Sequence, residues 1–284
     1  MPQATVPLKT TRPAQPPVIS LRGLAKHFGP VRAVDGVDLV IFPGECFGLL
    51  GLNGAGKSTL IKMIIGLLPP DRGQVVVNGF DLIRHATQVR RSVGYVAQSL
   101  SVDSVLTGRE NLAFFGRLYG LGGQALKERV AEILDLLELG TAADRLVAQY
   151  SGGMVRRLEI GQSILHRPPV LILDEPTTGL DPIARTGLWK HIQGLQERQG
   201  MTVLVTTHLM DEARRLCPRL AILRQGKVVG LGSPLSLAKA MGRPKAGMDE
   251  IFARYAGQHA DQLEENSGGL DAIGKSRRIA RRLG

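Results

Sequence analysis

Aromatic residues make up only 4% of this 284-residue chain, and cysteine occurs twice, at Cys46 and Cys217. With so few aromatic side chains the hydrophobic core must be mostly aliphatic, and its runs of Val, Leu and Ile are typical of a buried parallel sheet. Each cysteine lies in or beside an apolar stretch without a close-spaced partner, which argues against a disulfide framework or a zinc site. Both thiols are consistent with a reducing cytoplasm.

The sequence also lacks a long hydrophobic run, because Glu45, Asn53 and Lys62 interrupt the longest apolar stretches. A helix that crosses a bilayer needs about 20 consecutive apolar residues, so no membrane span is predicted. Residues 1–17 are polar, contain five prolines and show no apolar signal segment, and we predict a disordered leader there. If the protein serves a membrane, it must dock there through another chain.

Acidic residues are outnumbered by basic ones, which leaves a formal net charge of +11. A polyanionic ligand, nucleic acid or an anionic membrane surface would each suit this charge, which alone does not separate them. The basic residues 275–282, with Ile279 and Leu283 on one helical face, permit an amphipathic segment on anionic lipid. A solvated chain end is the interpretation that we favour.

Hydrophobic patterning predicts strands that alternate with helices. Apolar or β-rich runs predict strands at residues 46–50, 74–77, 93–96, 170–173, 203–206, 220–223 and 227–231. Residues 108–167 carry a helical period with charges between the apolar positions. Strands that bracket helices predict an α/β core with a mostly parallel sheet and an inserted helical subdomain.

Glycine and proline residues predict where some strands and helices end. In the β-rich residues 18–41, turns are predicted at Phe28-Gly29-Pro30 and at Asp35-Gly36. A helix with Leu60, Ile64, Leu67 and Leu68 on one face is predicted to continue until the two prolines that follow.

A glycine-rich motif, G-x-x-x-x-G-K-[ST], follows the predicted strand at residues 46–50 and opens a predicted helix. Its candidate nucleotide contacts are Gly51, Asn53, Gly54, Ala55, Gly56, Lys57, Ser58 and the adjacent Thr59. Glycines let successive N–H groups point at phosphate oxygens, and the helix N-terminus adds partial positive charge. Lys57 is expected to reach the β- and γ-phosphates, and Ser58 to ligate Mg²⁺. The flanking strand and helix favour this interpretation over a glycine-rich turn with an incidental lysine.

Two carboxylates, Asp174 and Glu175, end the predicted strand at residues 170–173. A buried parallel strand delivers the residues at its carboxyl end to the ligand crevice, and successive side chains point to opposite faces. We therefore predict different roles: Asp174 beside Mg²⁺ through a water, and Glu175 facing the γ-phosphate and polarising the attacking water. Acids are common where a strand gives way to a turn, but the phosphate motif favours the functional interpretation.

A Ser-Gly-Gly turn, Tyr150-Ser151-Gly152-Gly153-Met154, precedes the acidic strand. With the two motifs above, in this order, it resembles the ATP-binding subunits of ABC transporters over residues 18–233. The family signature is usually Leu-Ser-Gly-Gly-Gln, and Met154 cannot make the hydrogen bonds of a glutamine. The resemblance implies that Ser151, Gly152 and Gly153 contact ATP held by the opposite subunit of a head-to-tail dimer with two ATP molecules. By itself the turn would be interpreted as an ordinary serine helix cap.

Four further positions take family roles only through the resemblance. Gln98 resembles the Q-loop glutamine, which contacts Mg²⁺ and links the ATP site to the membrane subunit. Asp181 lies in a run similar to the D-loop, which crosses the dimer interface, and His208 resembles the switch histidine at the γ-phosphate. Phe28 resembles the aromatic residue that stacks on adenine. The alternatives are an exposed loop glutamine, a helix-start turn, a structural histidine and a core phenylalanine.

The resemblance implies an α/β P-loop NTPase core with a mostly parallel sheet, an N-terminal antiparallel β subdomain and an inserted α-helical subdomain. We predict an ABC ATP-binding domain over residues 18–240, with its helical subdomain at 98–167. A C-terminal extension with a basic tail is predicted over residues 241–284.

An ATPase is the implied activity, with Lys57, Glu175 and His208 as catalytic groups and ATP and Mg²⁺ as ligands. The metal contacts are expected from Ser58, Gln98 and Asp174. Residues 150–159 and 208–213 look like the drug-resistance and nodulation-factor exporter branch, so the prediction is an exporter.

The expected partners are separate integral membrane permease subunits, contacted through residues 98–120, and a second copy of the chain. The expected position is peripheral, on the cytoplasmic face of the cell membrane. The alternatives are an importer subunit, or a soluble ABC-type ATPase acting on ribosomes or DNA. A single cassette without sustained heptads argues against a nucleic-acid partner.

Overall fold

The computed structural model describes residues 15–99 and 101–257, so the predicted basic tail and most of the predicted leader lie outside the described residues. In chain order its strands and helices are β1 (Ile19–Phe28), β2 (Val31–Ile41), β3 (Cys46–Leu50), α1 (Lys57–Ile64), β4 (Arg72–Val77), β5 (Phe80–Asp81), α2 (Ala86–Arg91), β6 (Val93–Val96), α3 (Gly108–Leu118), α4 (Gly123–Leu136), α5 (Gly152–Ile164), β7 (Val170–Asp174), α6 (Pro182–Gln199), β8 (Thr202–Thr207), α7 (Met210–Leu216), β9 (Arg219–Arg224), β10 (Lys227–Gly232), α8 (Pro234–Ala240) and α9 (Met248–Ala256).

The larger sheet has six strands in the order β10-β9-β3-β8-β7-β6. Its strands run parallel except β10, which pairs antiparallel with β9. β3, β7 and β8 are buried along their whole length, as expected for the centre of a sheet that is covered on both faces. The prediction of a mostly parallel α/β core is confirmed.

Parallel pairing brings the carboxyl ends of the three central strands to one edge. Leu50, the last residue of β3, pairs with Thr207, the last residue of β8. Asp174, the last residue of β7, pairs with Thr206. Open α/β sheets bind their ligands at this edge, so the topology alone collects the three segments that follow these strands.

A second sheet of four antiparallel strands, in the order β2-β1-β4-β5, forms the predicted N-terminal β subdomain. The predicted turn at Asp35-Gly36 is wrong, because β2 runs through both residues. The register slips there, since Leu24 pairs with Val37 but Lys26 pairs with Val34. One extra residue therefore forms a bulge in β2, and Gly36 accommodates it with a φ of 72°.

The helix after the glycine-rich loop is shorter than its apolar pattern predicts. α1 ends at Ile64, and Gly66, with a φ of 73°, turns the chain. The N–H groups of Leu67 and Leu68 then donate to the carbonyl of Lys62 at 2.8 and 3.1 Å, which closes the helix end. Because the left-handed glycine stops the helix before the two prolines do, the predicted continuation through Leu68 is wrong, and Leu67 is 63% exposed.

Helices α3, α4 and α5 confirm the helical prediction for the middle of the chain. Their facing side chains, such as Leu112, Ile133 and Leu158, are fully buried in one cluster. Leu171 of β7 and Ile192 of α6 belong to the same cluster, so these helices share a core with one face of the central sheet.

The two cysteines meet inside that core. Both Cys46 and Cys217 are buried and free. A hydrogen bond with Cys46, together with burial, holds the pKa of the Cys217 thiol well above its usual range. Neither thiol forms a disulfide, in line with the expectation from the sequence.

The last described helices cover the β9–β10 end of the central sheet. Leu237 of α8 and Ile251 and Phe252 of α9 are buried against Leu220 and Ile222 of β9. Within the predicted extension at residues 241–284, the described part up to residue 257 therefore packs onto the sheet. Nowhere in residues 15–99 and 101–257 does a helix have both the length and the hydropathy that a bilayer span requires.

Candidate functional site

The loop between β3 and α1 curls tightly at its glycines. Gly54 has a φ of 79° and Gly56, which precedes the first residue of α1, has a φ of 105°. A Cβ atom on Gly56 would lie 2.2 Å from the carbonyl oxygen of Ala33 in β2, so only glycine fits there. Gly51 is similarly confined, because its Cβ would lie 2.7 Å from the carbonyl oxygen of Leu223.

The turn between β9 and β10 supports this loop from outside. The N–H of Gly226 donates to the carbonyl of Ala55 at 2.9 Å, and the carbonyl of Gly226 accepts from the N–H of Asp35 at 2.9 Å. A Cβ on Gly226 would lie 2.8 Å from the carbonyl oxygen of Arg32. One glycine of the final hairpin therefore joins the glycine-rich loop to the antiparallel sheet.

Lys57, the first residue of α1, is only 5% exposed. Its Nζ donates to the carbonyls of Gly51 and Leu52 at 2.7 and 3.3 Å and lies 3.4 Å from Oε1 of Glu175. Ser58 and Thr59 follow on α1 and are half-buried. The ammonium group thus lies inside the loop, between backbone oxygens and a carboxylate that directly follows β7.

Glu175 is the centre of a polar cluster. Besides Lys57, its carboxylate contacts Nδ1 of His208 at 3.2 Å and accepts from Nε2 of Gln98 at 3.4 Å. The hydroxyl of Thr178 donates to the same carboxylate at 3.3 Å. The structure therefore brings together Lys57, Gln98, Glu175 and His208, which we call the Glu175 cluster.

Asp174 and Glu175 have separate surroundings, as predicted. The predicted reason, opposite faces of one continuous strand, is wrong. β7 ends at Asp174, and Glu175 adopts the left-handed region with a φ of 50°. Oδ1 of Asp174 accepts from the hydroxyl of Thr206 at 2.5 Å, whereas the N–H of Glu175 donates to the same hydroxyl oxygen at 2.9 Å. Thr206, which the motifs did not indicate, orients both acids from the neighbouring strand.

The electrostatic influence of Asp174 reaches Tyr95 on β6. Burial, with a smaller contribution from the negative charge of Asp174, raises the pKa of the Tyr95 phenol to about 12. Tyr95 therefore remains a neutral hydroxyl beside the acidic end of β7.

The Ser-Gly-Gly turn opens α5 on the surface. Ser151 and Gly152 are exposed, and the Ser151 hydroxyl accepts from the N–H of Met154 at 3.3 Å, which makes it the N-cap. A Cβ on Gly153 would lie 2.9 Å from Cβ of Ala184, so α5 and α6 approach closely there. Within the part of the chain that the structure describes, no hydrogen bond or ion pair joins Ser151 to the Glu175 cluster.

Asp181 and Phe28 also lie outside the Glu175 cluster. The carboxylate of Asp181 caps α6 by accepting from the N–H groups of Ile183 and Ala184, both at 2.9 Å. Phe28 ends β1 and is 50% exposed, with Nζ of Lys26 5.8 Å from its ring centroid. The alternative of a core phenylalanine is thereby excluded.

Two buried acids, Glu159 and Glu212, have no site role predicted from the sequence, although both lie in runs that resemble the exporter branch. Glu212 of α7, 1% exposed, accepts from the hydroxyl of Thr177 at 2.9 Å and from Nε1 of Trp189 at 3.0 Å. Burial raises the pKa of Glu212, and the same holds for Glu159 of α5. The sequence offers one signal for Glu159, since Arg156 lies three residues earlier on the same helix.

Comparison with known proteins gives a consistent result. The family model described as "ABC transporter" matches residues 34–178. A Nod factor export ATP-binding protein I from Rhizobium sp. (strain N33) is 43% identical over 219 residues, 77% of this chain and 72% of that protein. A daunorubicin/doxorubicin resistance ATP-binding protein from Streptomyces peucetius is 46% identical over 224 residues, 79% of this chain and 68% of that protein.

Solved structures show the same relationship. An ATP-binding subunit of an ABC transporter superposes with a TM-score of 0.75 at 32% identity, covering 84% of this chain and 99% of the other. A dimeric ATP-binding cassette in a post-hydrolysis state, bound to ADP and Pi, gives a TM-score of 0.67 at 28% identity, covering 76% and 98%.

Proposed function

Because the chain belongs to the ABC transporter family, we propose that it is the ATP-hydrolysing subunit of an exporter whose membrane-spanning part is a separate protein. The observation that carries this proposal is the Glu175 cluster. A lysine from a phosphate-binding loop, a carboxylate after β7 and a histidine after β8 meet at the edge where a parallel sheet binds its ligand.

Phosphoryl transfer to water needs positioning and charge neutralisation more than covalent chemistry. The loop from Gly51 to Ser58, with Thr59 behind it, supplies backbone N–H groups and the Lys57 ammonium for the phosphates of ATP. Glu175, held by Thr206 and close to His208, is placed to accept a proton from the attacking water and to orient it. Charge on the transferred group would be stabilised by Lys57 and the loop N–H groups.

The polar oxygens near Lys57 fit Mg²⁺. This ion is usually bound through one or two carboxylates and the substrate's phosphates, and the Asp174 carboxylate, the Ser58 hydroxyl and the Gln98 amide provide such a set. Among the described residues there is no group of three or more His, Cys, Asp or Glu side chains that could hold a metal. Bound Mg²⁺ would supply neutralisation of charge on the β- and γ-phosphates.

We propose that two copies of the chain pair head to tail. Ser151, Gly152 and Gly153 lie at the start of α5, and the helix N-terminus favours an anion there. Because Ser151 and Gly152 are exposed, they are free to meet ATP held by the other copy, with Asp181 of the D-loop at the same interface. Phe28 would stack on adenine, since its ring is half exposed rather than packed in the core.

The permease would contact the apolar surface of α3. Phe114 and Leu118, one helical turn apart, are exposed, as is Tyr119 just after the helix. We call these three residues the α3 patch. Exposed apolar groups on one helix face are typical of a protein interface, and this patch lies within the predicted contact region, residues 98–120. The assembled exporter would hold the chain peripherally on the cytoplasmic face of the membrane.

The proposed domain boundaries are residues 18–240 for the ATP-binding domain, 98–167 for its helical subdomain and 241–284 for a C-terminal extension.

The proposal is tested with Glu175→Gln. This variant should bind Mg-ATP with wild-type affinity but turn it over about 10²- to 10⁴-fold more slowly. Saturated with Mg-ATP, the isolated variant should accumulate as a dimer of cassettes, measured by light scattering after size-exclusion chromatography. The matched control is Glu197→Gln, an exposed acid on α6. A Glu175→Gln protein that hydrolyses ATP at the wild-type rate, or that never pairs, would overturn the proposal.

A further inference from the structure

A buried ion pair lies on α5, one turn beyond the Ser-Gly-Gly turn. Nη1 of Arg156 contacts Oε2 of Glu159 at 2.8 Å, and the side chains are 4% and 1% exposed. Taking two charges out of water is costly, and the attraction between them repays this only when further hydrogen bonds satisfy both groups. The remaining hydrogen bonds of the pair therefore indicate what it holds in place.

Those hydrogen bonds go to Ala97, Gln98 and Ser101, in the segment that resembles the Q-loop, rather than to α5 itself. Arg156 donates to the carbonyl of Ala97 at 2.8 Å and to the carbonyl of Gln98 at 3.2 Å. Oε1 of Glu159 accepts from the N–H of Ser101 at 2.6 Å and from its hydroxyl at 3.2 Å. The cation thus binds the backbone at Gln98, and the anion binds it three residues later.

Gln98, whose backbone Arg156 contacts, also contacts the proposed catalytic residue Glu175. Nε2 of Gln98 donates to Oε2 of Glu175 at 3.4 Å, while α5 begins beside the exposed Ser151. We propose that Arg156 and Glu159 are positioning residues, which fix the Gln98 amide relative to Glu175 and tie its place to the helix that carries the Ser-Gly-Gly turn. This inference rests on the proposed ATPase function and deepens it.

The far end of the same loop has its own attachment. The N–H and carbonyl of Asp103 are both bonded to the side chain of Asn111, at 3.0 and 2.9 Å, and the Asn111 oxygen accepts from Gln162 of α5 at 3.2 Å. Loss of the ion pair should therefore release the backbone at Gln98 while the loop beyond Asp103 stays attached. The defect expected is local misplacement rather than unfolding.

The test replaces both charges at once, because removal of one partner would leave the other buried and unpaired. The double variant Arg156→Met/Glu159→Leu is of similar volume and apolar. Its control is Arg157→Met, the next residue on α5, whose guanidinium donates to the carbonyl of Leu137 instead of to the Q-loop. Thermal unfolding should give a similar midpoint for the double variant, the control and the wild type.

The measurement is kcat for ATP hydrolysis in the permease-bound protein. The Arg156→Met/Glu159→Leu change is made both in the wild type and in the Gln98→Ala variant, which gives a double-mutant cycle. The double variant should lower kcat about 10- to 100-fold, since misplacement by about 1 Å can have effects of that size. In the Gln98→Ala background the same double change should alter kcat by less than about 2-fold, because both changes act through one group. Equal fold-losses in the two backgrounds, or an unchanged kcat, would overturn the inference.

A second measurement separates this inference from the proposed function. Hydrogen exchange at the Ser101 amide should speed up in the double variant and not in Arg157→Met, in the isolated chain without nucleotide. If the wild type hydrolyses no ATP, the proposed function fails, and this exchange still decides whether the pair holds the loop. A Ser101 exchange rate in the double variant equal to that of the wild type would refute the role of the Arg156–Glu159 pair, whatever the ATPase activity.

Discussion

Nδ1 of His208 lies 3.2 Å from Oε2 of Glu175, although 33 positions (208 − 175) separate the two residues in the sequence. They meet because β7 and β8 are parallel neighbours, and each residue directly follows the end of its strand. A carboxylate beside an imidazole is an arrangement suited to orienting a water and accepting its proton. The same carboxylate also contacts Lys57, so the proposed proton acceptor lies beside the lysine that we propose binds phosphate.

Removal of the imidazole should slow hydrolysis. His208→Ala is expected to lower kcat for ATP about 10²- to 10⁴-fold, because the imidazole that we propose orients Glu175 and the γ-phosphate is lost. Phosphate release at saturating Mg-ATP measures this, with His85→Ala, an exposed histidine before α2, as the control. A His208→Ala protein with wild-type kcat would exclude the imidazole from the reaction.

Lys57 should contribute mainly to nucleotide binding. Lys57→Ala is expected to weaken the binding of a fluorescent ATP analogue by about 10- to 100-fold, the value of a charged hydrogen bond. Lys62→Ala, an exposed lysine on the same helix, is the matched control and should bind as the wild type does. Equal affinities for the two variants would contradict a phosphate cradle around Lys57.

Two glycines of the loop offer a stability test. Gly54→Ala should cost about 1–3 kcal/mol of unfolding free energy, because its φ of 79° is unfavourable for alanine although no atom lies within 4 Å of the added Cβ. Gly56→Ala should cost more than about 3 kcal/mol, since strain at a φ of 105° is joined by a clash with the carbonyl of Ala33. Urea titrations measure which substitution costs more unfolding free energy. A larger cost for Gly54→Ala than for Gly56→Ala would show that the loop relaxes around Gly56.

Glu212 should make stability depend on pH. Burial raises its pKa above the ordinary 4.5, so between that value and the raised pKa the folded chain binds more protons than the unfolded chain. The free energy of unfolding should therefore decrease as the pH rises through this window. Glu212→Gln removes this titration and should show a shallower decrease than the wild type in urea unfolding from about pH 5 to about pH 8.

The apolar variant at the same position separates charge from hydrogen bonding. Glu212→Leu leaves the Thr177 hydroxyl and the Trp189 N–H without their acceptor, which should cost about 1–3 kcal/mol for each group. Glu212→Gln retains an acceptor oxygen. An identical pH profile for Glu212→Gln and the wild type would mean that Glu212 does not titrate in this range.

The α3 patch should matter for assembly and not for the chemistry. Phe114→Asp/Leu118→Asp is expected to reduce co-purification with the permease at least about 10-fold, because a charge replaces apolar contact at the proposed interface. ATP hydrolysis by the isolated chain should remain unchanged. Leu235→Asp, an exposed leucine on α8, is the control. Full co-purification of the double variant would place the permease elsewhere.

Sequence patterns indicate Lys57 and Glu175 of the Glu175 cluster, since these lie in short motifs at strand ends, whereas Gln98 and His208 are indicated only through the family resemblance. Lys57 follows a glycine loop and His208 ends a β-rich run, and a parallel sheet collects such ends at one edge. Patterns alone do not separate an exposed Phe28 from a buried one. Nor do they show that α1 stops at Gly66, because the apolar period continues past the glycine that ends the helix.

Contacts between distant segments are harder to derive. Arg156 and Glu159 have the spacing of an ordinary surface pair on a helix, and only the tertiary structure shows that both are buried against the Q-loop. The left-handed φ of Glu175 is likewise invisible in the strand pattern, which assigns the two acids to opposite faces. Thr206 lies in no motif and Glu212 lies only in a run that indicates the exporter branch, and the contacts of both follow from which strand or helix lies beside them.

The support that Gly226 gives to Ala55 has a consequence for biosynthesis. The loop around Lys57 is translated well before the β9–β10 hairpin that supports it. A nascent chain that has not yet reached Gly226 has the Lys57 loop without the hydrogen bond from Gly226 to Ala55. We therefore expect a nascent chain to bind nucleotide only after the β9–β10 hairpin has been made.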